Sequence, residues 1–173
     1  SYLYLDWYDG NHIIRPMQIA SKLGIKVFVN IENQHDNNEL LSRLSGYADV
    51  FQVSLDGNFA IEDMKSIVNK LLEVGIGTVI VTGGSMGCVV ANARQIVRVI
   101  APDIDTIDGN GAGSCFSAGF IYGSLRGWDL EQCARFATAQ ASLKCSRPGY
   151  EVGSVEEGKR LASTLPSEVE TEI

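Results

Sequence analysis

Apolar residues follow two alternating rhythms along the first half of the chain. Tyr2 to Trp7, Ile25 to Val29, Ala48 to Val53 and Thr78 to Thr82 are short, nearly continuous apolar runs. Runs of this length suit strands buried on both faces of a parallel sheet. Between them lie stretches with helical spacing. Ile13 to Leu23 carries Ile13, Met17, Ala20 and Leu23, and Gly24 follows as the residue that ends the helix. Asn37 to Leu44 is a shorter helix. Ile61 to Val74 opens near Glu62-Asp63 and stops at Gly75. Strands alternating with helices predict parallel β-α-β units with right-handed crossovers. The class is therefore α/β, a doubly wound and mostly parallel sheet with flanking helices.

After Thr82 the pattern changes. Gly83-Gly84-Ser85-Met86-Gly87 reads as a turn, and Cys88 to Ala91 and Ile96 to Ile100 as a hairpin around Asn92-Ala93-Arg94. Helices are expected over Phe116 to Leu125 and Leu130 to Leu143, with Asp129 as N-cap of the second. Ser146-Arg147-Pro148-Gly149 is a loop, and a last helix runs from about Val155 to Ser163. The acidic end, Glu168-Val169-Glu170-Thr171-Glu172, is expected to fray. The organisation that follows is one lobe over 1–165 and an acidic tail over 166–173.

The chemistry concentrates in Asp108-Gly109-Asn110-Gly111-Ala112-Gly113-Ser114-Cys115-Phe116, just ahead of a helical pattern. Glycines permit φ > 0 and let another group approach the backbone. Free N–H groups in the first turn of a helix, together with its dipole, form an anion site. The segment is thus a candidate cradle for phosphate, or alternatively a helix start that merely turns tightly. Two phosphate motifs fail on it. The third glycine of G-x-G-x-x-G would fall at Ser114, and no lysine supplies the Walker A Gly-Lys-Ser/Thr.

Composition narrows the classes. A length of 173 residues suits one domain with a sizeable core. The net charge of −7, with no basic cluster, argues against a nucleic-acid partner. No apolar run approaches the ~18 residues of a membrane span, and Ser-Tyr-Leu-Tyr-Leu-Asp-Trp lacks a signal-peptide start. Cys88, Cys115, Cys133 and Cys145 are widely spaced, which suits reduced, half-buried thiols of a cytoplasmic protein. No His/Cys/Asp cluster has zinc spacing. His12 and His35 read as surface residues, Glu131 and Arg135 as a solvated helix pair, and Arg147 as part of a surface loop.

The glycine segment resembles the D-T-x-G-A-G-D-x-F signature of the ribokinase-like (PfkB) carbohydrate kinases. That resemblance implies a cradle of Gly111, Ala112 and Gly113 for phosphate charge. It puts Ser114 where the family has the Asp that takes the proton from the sugar hydroxyl. Thr82-Gly83-Gly84-Ser85-Met86-Gly87 is similar to the family's Thr-x-Gly-x-x-Gly segment, which implies nucleotide contacts at Thr82, Gly84 and Gly87. Phe136-Ala137-Thr138 is similar to Phe-Ala-Asn near the adenine, with Thr138 for Asn. Asp108 matches the Asp that helps hold a monovalent cation such as K+ in ribokinase-type members. The order of elements resembles the C-terminal portion of that fold, from the Tyr2 strand to Pro148-Gly149. A missing N-terminal half, or a second copy of the chain, is therefore expected to complete the sugar pocket.

The resemblance implies ATP, Mg2+ and a sugar or similar alcohol as partners. Several departures bear on activity. Ser54-Leu55-Asp56-Gly57 stands where the family has Asn-x-x-Glu, and Asn30 stands at the Asp of F-D-x-N. Gly46-Tyr47-Ala48-Asp49-Val50 and Lys144-Cys145 look like the ketohexokinase branch, which nevertheless keeps the catalytic Asp. An unassisted serine hydroxyl does not accept a proton near neutral pH. The expected function is an ATP:sugar phosphotransferase with impaired transfer. A non-catalytic nucleotide-binding pseudokinase or interaction module is the alternative, and a purely structural subunit is a third.

Overall fold

In the computed structural model, which describes residues 1–7, 12–57 and 59–171, seven strands form one sheet in simple chain order. β1 (Tyr2–Asp6), β2 (Lys26–Asn30), β3 (Val50–Ser54) and β4 (Thr78–Thr82) are parallel. β5 (Cys88–Asn92), β6 (Gln95–Val99) and β7 (Ser167–Glu170) continue the sheet antiparallel. The helices α1 (Ile14–Lys22), α2 (Asn38–Leu44) and α3 (Ile61–Glu73) connect the parallel strands. They are followed by α4 (Ala112–Leu125), α5 (Leu130–Cys145) and α6 (Val155–Ala162).

Period-two alternation divides the core between the two faces of the sheet. Val27, Val29, Phe51, Val53, Val79 and Val81 meet Met17, Leu41, Leu44, Met64 and Leu71 from α1, α2 and α3. Phe28, Val50, Ile80, Val90 and Val97 meet Phe116, Phe120, Ala134 and Ala137 from α4 and α5. Both faces are covered, so the parallel strands read as unbroken apolar runs. The expected α/β class is the one found. No helix among the described residues is long and apolar enough to cross a membrane.

Three sequence expectations need correction. α4 begins at Ala112, not Phe116, because Gly111 takes the left-handed conformation (φ 81°) just ahead of the first turn. The acidic tail does not fray over 167–170. It pairs with β6, with Arg98 3.2 Å from Glu168 and Lys65 2.5 Å from Glu170. Glu172 and Ile173 of that tail lie outside the described residues. Glu131 and Arg135 form more than a solvated pair: Arg135 also donates to the carbonyls of Ala162 (2.9 Å) and Ser163 (3.0 Å), capping the end of α6.

α6 starts with a reciprocal cap between Ser154 and Glu157. The Ser154 N–H, the Ser154 hydroxyl and the Arg147 guanidinium hold the Glu157 carboxyl down to about 2 from an ordinary 4.5. A carboxyl with a depressed folded-state pKa contributes stability above its unfolded value and loses it as pH falls through the folded one. Glu157→Gln is therefore expected to flatten the acid side of a urea-midpoint-versus-pH curve between those two values. A curve of unchanged steepness would remove Glu157 from the acid response.

Candidate functional site

Each parallel strand ends on a polar residue: Asp6, Asn30, Ser54 and Thr82. In register, Asp6 lies beside Asn30, Asn30 beside Gln52, and Ser54 beside Thr82. The carboxyl edge of an α/β sheet is where such folds bind ligands. Here the row faces the start of α4. Gln52 is completely buried in the middle of an apolar strand, and it receives a hydrogen bond from Ser117 (2.8 Å). Gln52 in turn donates to the Gly113 carbonyl at 3.4 Å, and the Ser117 hydroxyl shares its one proton with that carbonyl, 3.0 Å away. These bonds brace the first turn of α4 against the strand ends.

At that turn Ala112 N donates to Gly109 O (3.2 Å) and Cys115 N to Gly111 O (2.9 Å). The N–H groups of Gly111, Gly113 and Ser114 donate to no carbonyl among the described residues. A Cβ on Gly113 would lie no nearer than 3.8 Å to any neighbour, so the space above the turn is open. Free donors at the positive end of a 14-residue helix make a site for negative charge. Ala112, in contrast to Gly111 and Gly113, has spent its donor on the local turn.

A cleft of about 580 Å³ opens beside this turn. It brings together most of the residues that the sequence nominated. Thr82, Gly84 and Gly87 line it from the β4–β5 turn, Ala112 and Gly113 from α4, and Thr138 from α5. Thr138 is buried and shares a 3.4 Å contact with the Cys88 thiol. Burial pushes the Cys88 thiol up to about 12. Gly87, at φ 88°, passes so close to Val99 O and Ala101 N that no side chain fits there. Asp56 and Asp103 add carboxylates to the rim.

Ser114 is not among the residues lining the cleft. It is exposed, on the side of α4 that faces Tyr4. Tyr4 donates to Asp6 (2.6 Å), and Asn30 donates to both Asp6 (3.0 Å) and Glu32 (2.7 Å). Burial and the bond to Asp6 push the Tyr4 phenol up, against smaller downward pulls from the Ser117 and Ser114 hydroxyls. Glu32 has φ 49°, the one positive value for a non-glycine residue among those described. Such strain gathers at ligand sites. The sequence reading passed over Asp6, Glu32 and Gln52. The available signal was the polar residue closing each apolar strand.

Asp108 does not point into the cleft as a free carboxylate. It accepts from Asn110 N (3.0 Å) and Gly149 N (3.1 Å) and pairs with Lys144 (3.7 Å), which together hold its carboxyl below the usual range. Arg147 is committed to Val152 O and Glu157, both at 2.6 Å. His12 is exposed as expected, whereas His35 is half-buried and lies 3.5 Å from Asp36. All four cysteines are free, Cys88 and Cys133 buried and the other two half-buried.

The sequence model of the "pfkB family carbohydrate kinase" matches residues 17–157. An uncharacterized sugar kinase of Archaeoglobus fulgidus is 38% identical over 84 residues, which is 49% of this chain and 33% of that protein. Among solved structures, Arabidopsis thaliana ribokinase complexed with ribose and ATP superposes with a TM-score of 0.79 at 20% identity, over 93% of this chain and 55% of that one. Phosphofructokinase-2 from Escherichia coli in complex with potassium gives 0.78 at 16% identity, over 94% and 56%. At these identities the superpositions establish the fold. The chain spans roughly a third to a half of the length of the proteins it matches.

Proposed function

The chain belongs to the pfkB family of carbohydrate kinases, and from that premise we propose that it binds magnesium–ATP between its two glycine loops. The phosphates rest on the free N–H groups of Gly111, Gly113 and Ser114. The adenine side of the nucleotide lies toward Thr138, with Thr82, Gly84 and Gly87 lining the same cleft. Magnesium arrives with the phosphates and needs only one or two carboxylates from the protein, for which Asp56 and Asp103, both lining the cleft, are the candidates. A sugar hydroxyl sits on the other side of the α4 turn, beside Ser114 and the group of Asp6, Asn30 and Glu32. In this reading a further chain segment beyond β1, or a second copy, closes the sugar side. The four free thiols suit a reducing, cytoplasmic setting.

The observation that carries this reading is convergence. Two glycine loops 25 residues apart in sequence, counted from Gly84 to Gly109, line a single cleft beside unpaired helix N–H groups. The cradle stabilises charge on a transferring phosphoryl group through fixed backbone dipoles, which do not depend on the identity of residue 114. Proton removal does depend on it. Ser114 in the position of the base favours a second reading, a protein that binds nucleotide and transfers phosphate slowly or not at all.

Calorimetric titration with magnesium–ATP tests the shared part of both readings. The parent chain is expected to bind. Gly113→Val is expected to keep its melting temperature within a few degrees, since Cβ meets only ordinary contacts, and to lose binding because the branched methyls fill the cradle. Equal binding by both proteins would place the nucleotide elsewhere.

A further inference from the structure

We propose that the ammonium group of Lys144 is a built-in monovalent cation, which fixes the anion cradle without potassium. The inference rests on reading the start of α4 as a phosphate site. It departs from what Asp108 implied in the sequence, a carboxylate that helps hold a soluble ion.

Lys144 lies in the last turn of α5 and is 2% exposed. Its Nζ donates to Asp108 O at 3.0 Å and Arg147 O at 3.5 Å, and lies 3.7 Å from Asp108 Oδ2. Two backbone carbonyls and one carboxylate, drawn from two loops, converge on one positive point. That is an oxygen set suited to a potassium ion, and here the protein's own nitrogen fills it. Asp108 completes the lacing by accepting from Asn110 N and Gly149 N, and the Asp108 N–H reaches Cys145 O at 3.1 Å. A soluble cation at the same oxygens would face the ammonium at contact distance in a buried place, where like charges repel strongly. The residues present therefore do not fit a potassium ion.

The stem of Lys144 runs beneath the cradle. A Cβ on Gly111 would lie 4.0 Å from Lys144 Cε, and Gly111 is the left-handed residue that sets the direction of the first turn of α4. Lys144 is thus a positioning residue. It holds the 108–111 loop from behind, and its charge adds to the positive end of the helix.

The test compares salts, using the parent, Lys144→Ala and Lys144→Met. Melting temperature is measured in potassium, ammonium and choline chloride, without nucleotide, followed by magnesium–ATP titration in each salt. The parent is expected to melt and bind alike in all three. Lys144→Ala vacates the oxygens and is expected to melt on the order of 10 °C lower in choline, because its partners lose their buried cation. Potassium or ammonium is expected to recover most of that loss. Lys144→Met keeps the stem but fills the space, and is expected to stay low in every salt. A parent that needs potassium, or an alanine variant that potassium does not restore, overturns the proposal. Melting involves no nucleotide, so a parent that ignores potassium yet fails to bind ATP counts against the functional reading alone.

Discussion

Replacing Ser114 by Asp is expected to raise ATP-dependent transfer to a sugar acceptor by roughly 10²–10⁴-fold, the range that a positioned general base contributes. In the proposed reading, the parts that stabilise phosphoryl charge are the backbone N–H groups of Gly111, Gly113 and Ser114, which donate to no carbonyl among the described residues. What the parent lacks in that reading, at residue 114 itself, is a group that accepts a proton near neutral pH. Two influences would set the new carboxyl. The start of α4 favours its charged form. Sharing Tyr4 with Asp6 opposes it, since Tyr4 bonds Asp6 and has the residue 114 hydroxyl beside it. Like charges raise a carboxyl pKa, which moves the base toward working pH. ADP release with a panel of sugars, compared with Ser114→Asn, isolates the base from the shape. With the sugar side closed by the further chain segment or second copy, a Ser114→Asp protein that binds magnesium–ATP but gains no transfer would favour a nucleotide-binding module with no catalytic role.

The sequence made the strands, the crossover helices and both glycine loops legible because each is a local signal. Apolar runs mark buried strands, and Gly84, Gly87 and Gly111 sit at backbone angles that other residues resist. What stayed hidden depends on contacts between distant segments. Lys144 reads locally as a solvated cation at a helix end, and only the meeting of the 108 and 147 loops buries it. Gln52 breaks an apolar run without ending the strand, because Ser117 satisfies it from 65 residues away. Glu168 and Glu170 look like a frayed tail until Arg98 and Lys65 are placed beside them. The early start of α4 was masked for a different reason. Glycine is a poor helix former, so Gly111-Ala112-Gly113 reads as a breaker. The same glycines leave the first turn bare, which the cradle requires.

Gly87→Ala is expected to destabilise the chain by about 2–6 kcal/mol. That figure adds about 1–3 kcal/mol for a strained backbone conformation and about 1–3 kcal/mol for overpacking. Against a typical total stability of about 5–15 kcal/mol, the loss approaches unfolding. An alanine Cβ would fall 2.0 Å from Val99 O, at the end of β6, and 2.7 Å from Ala101 N, just beyond it, both backbone atoms that move only with the chain around them. The residue is also held at φ 88°, and its carbonyl receives the Gly83 N–H at 2.9 Å. Gly84→Ala provides the contrast. It shares a positive φ of 56° but meets nothing within 4 Å, so roughly 1–2 kcal/mol is expected from conformation alone. Urea midpoints of the two variants separate steric approach from backbone angle, and equal losses would remove the close approach of the 99–101 segment as the reason for glycine at 87. Gly87 lines the cleft and packs against the 99–101 segment at once, so a substitution there is felt both by the sheet and by the proposed nucleotide wall.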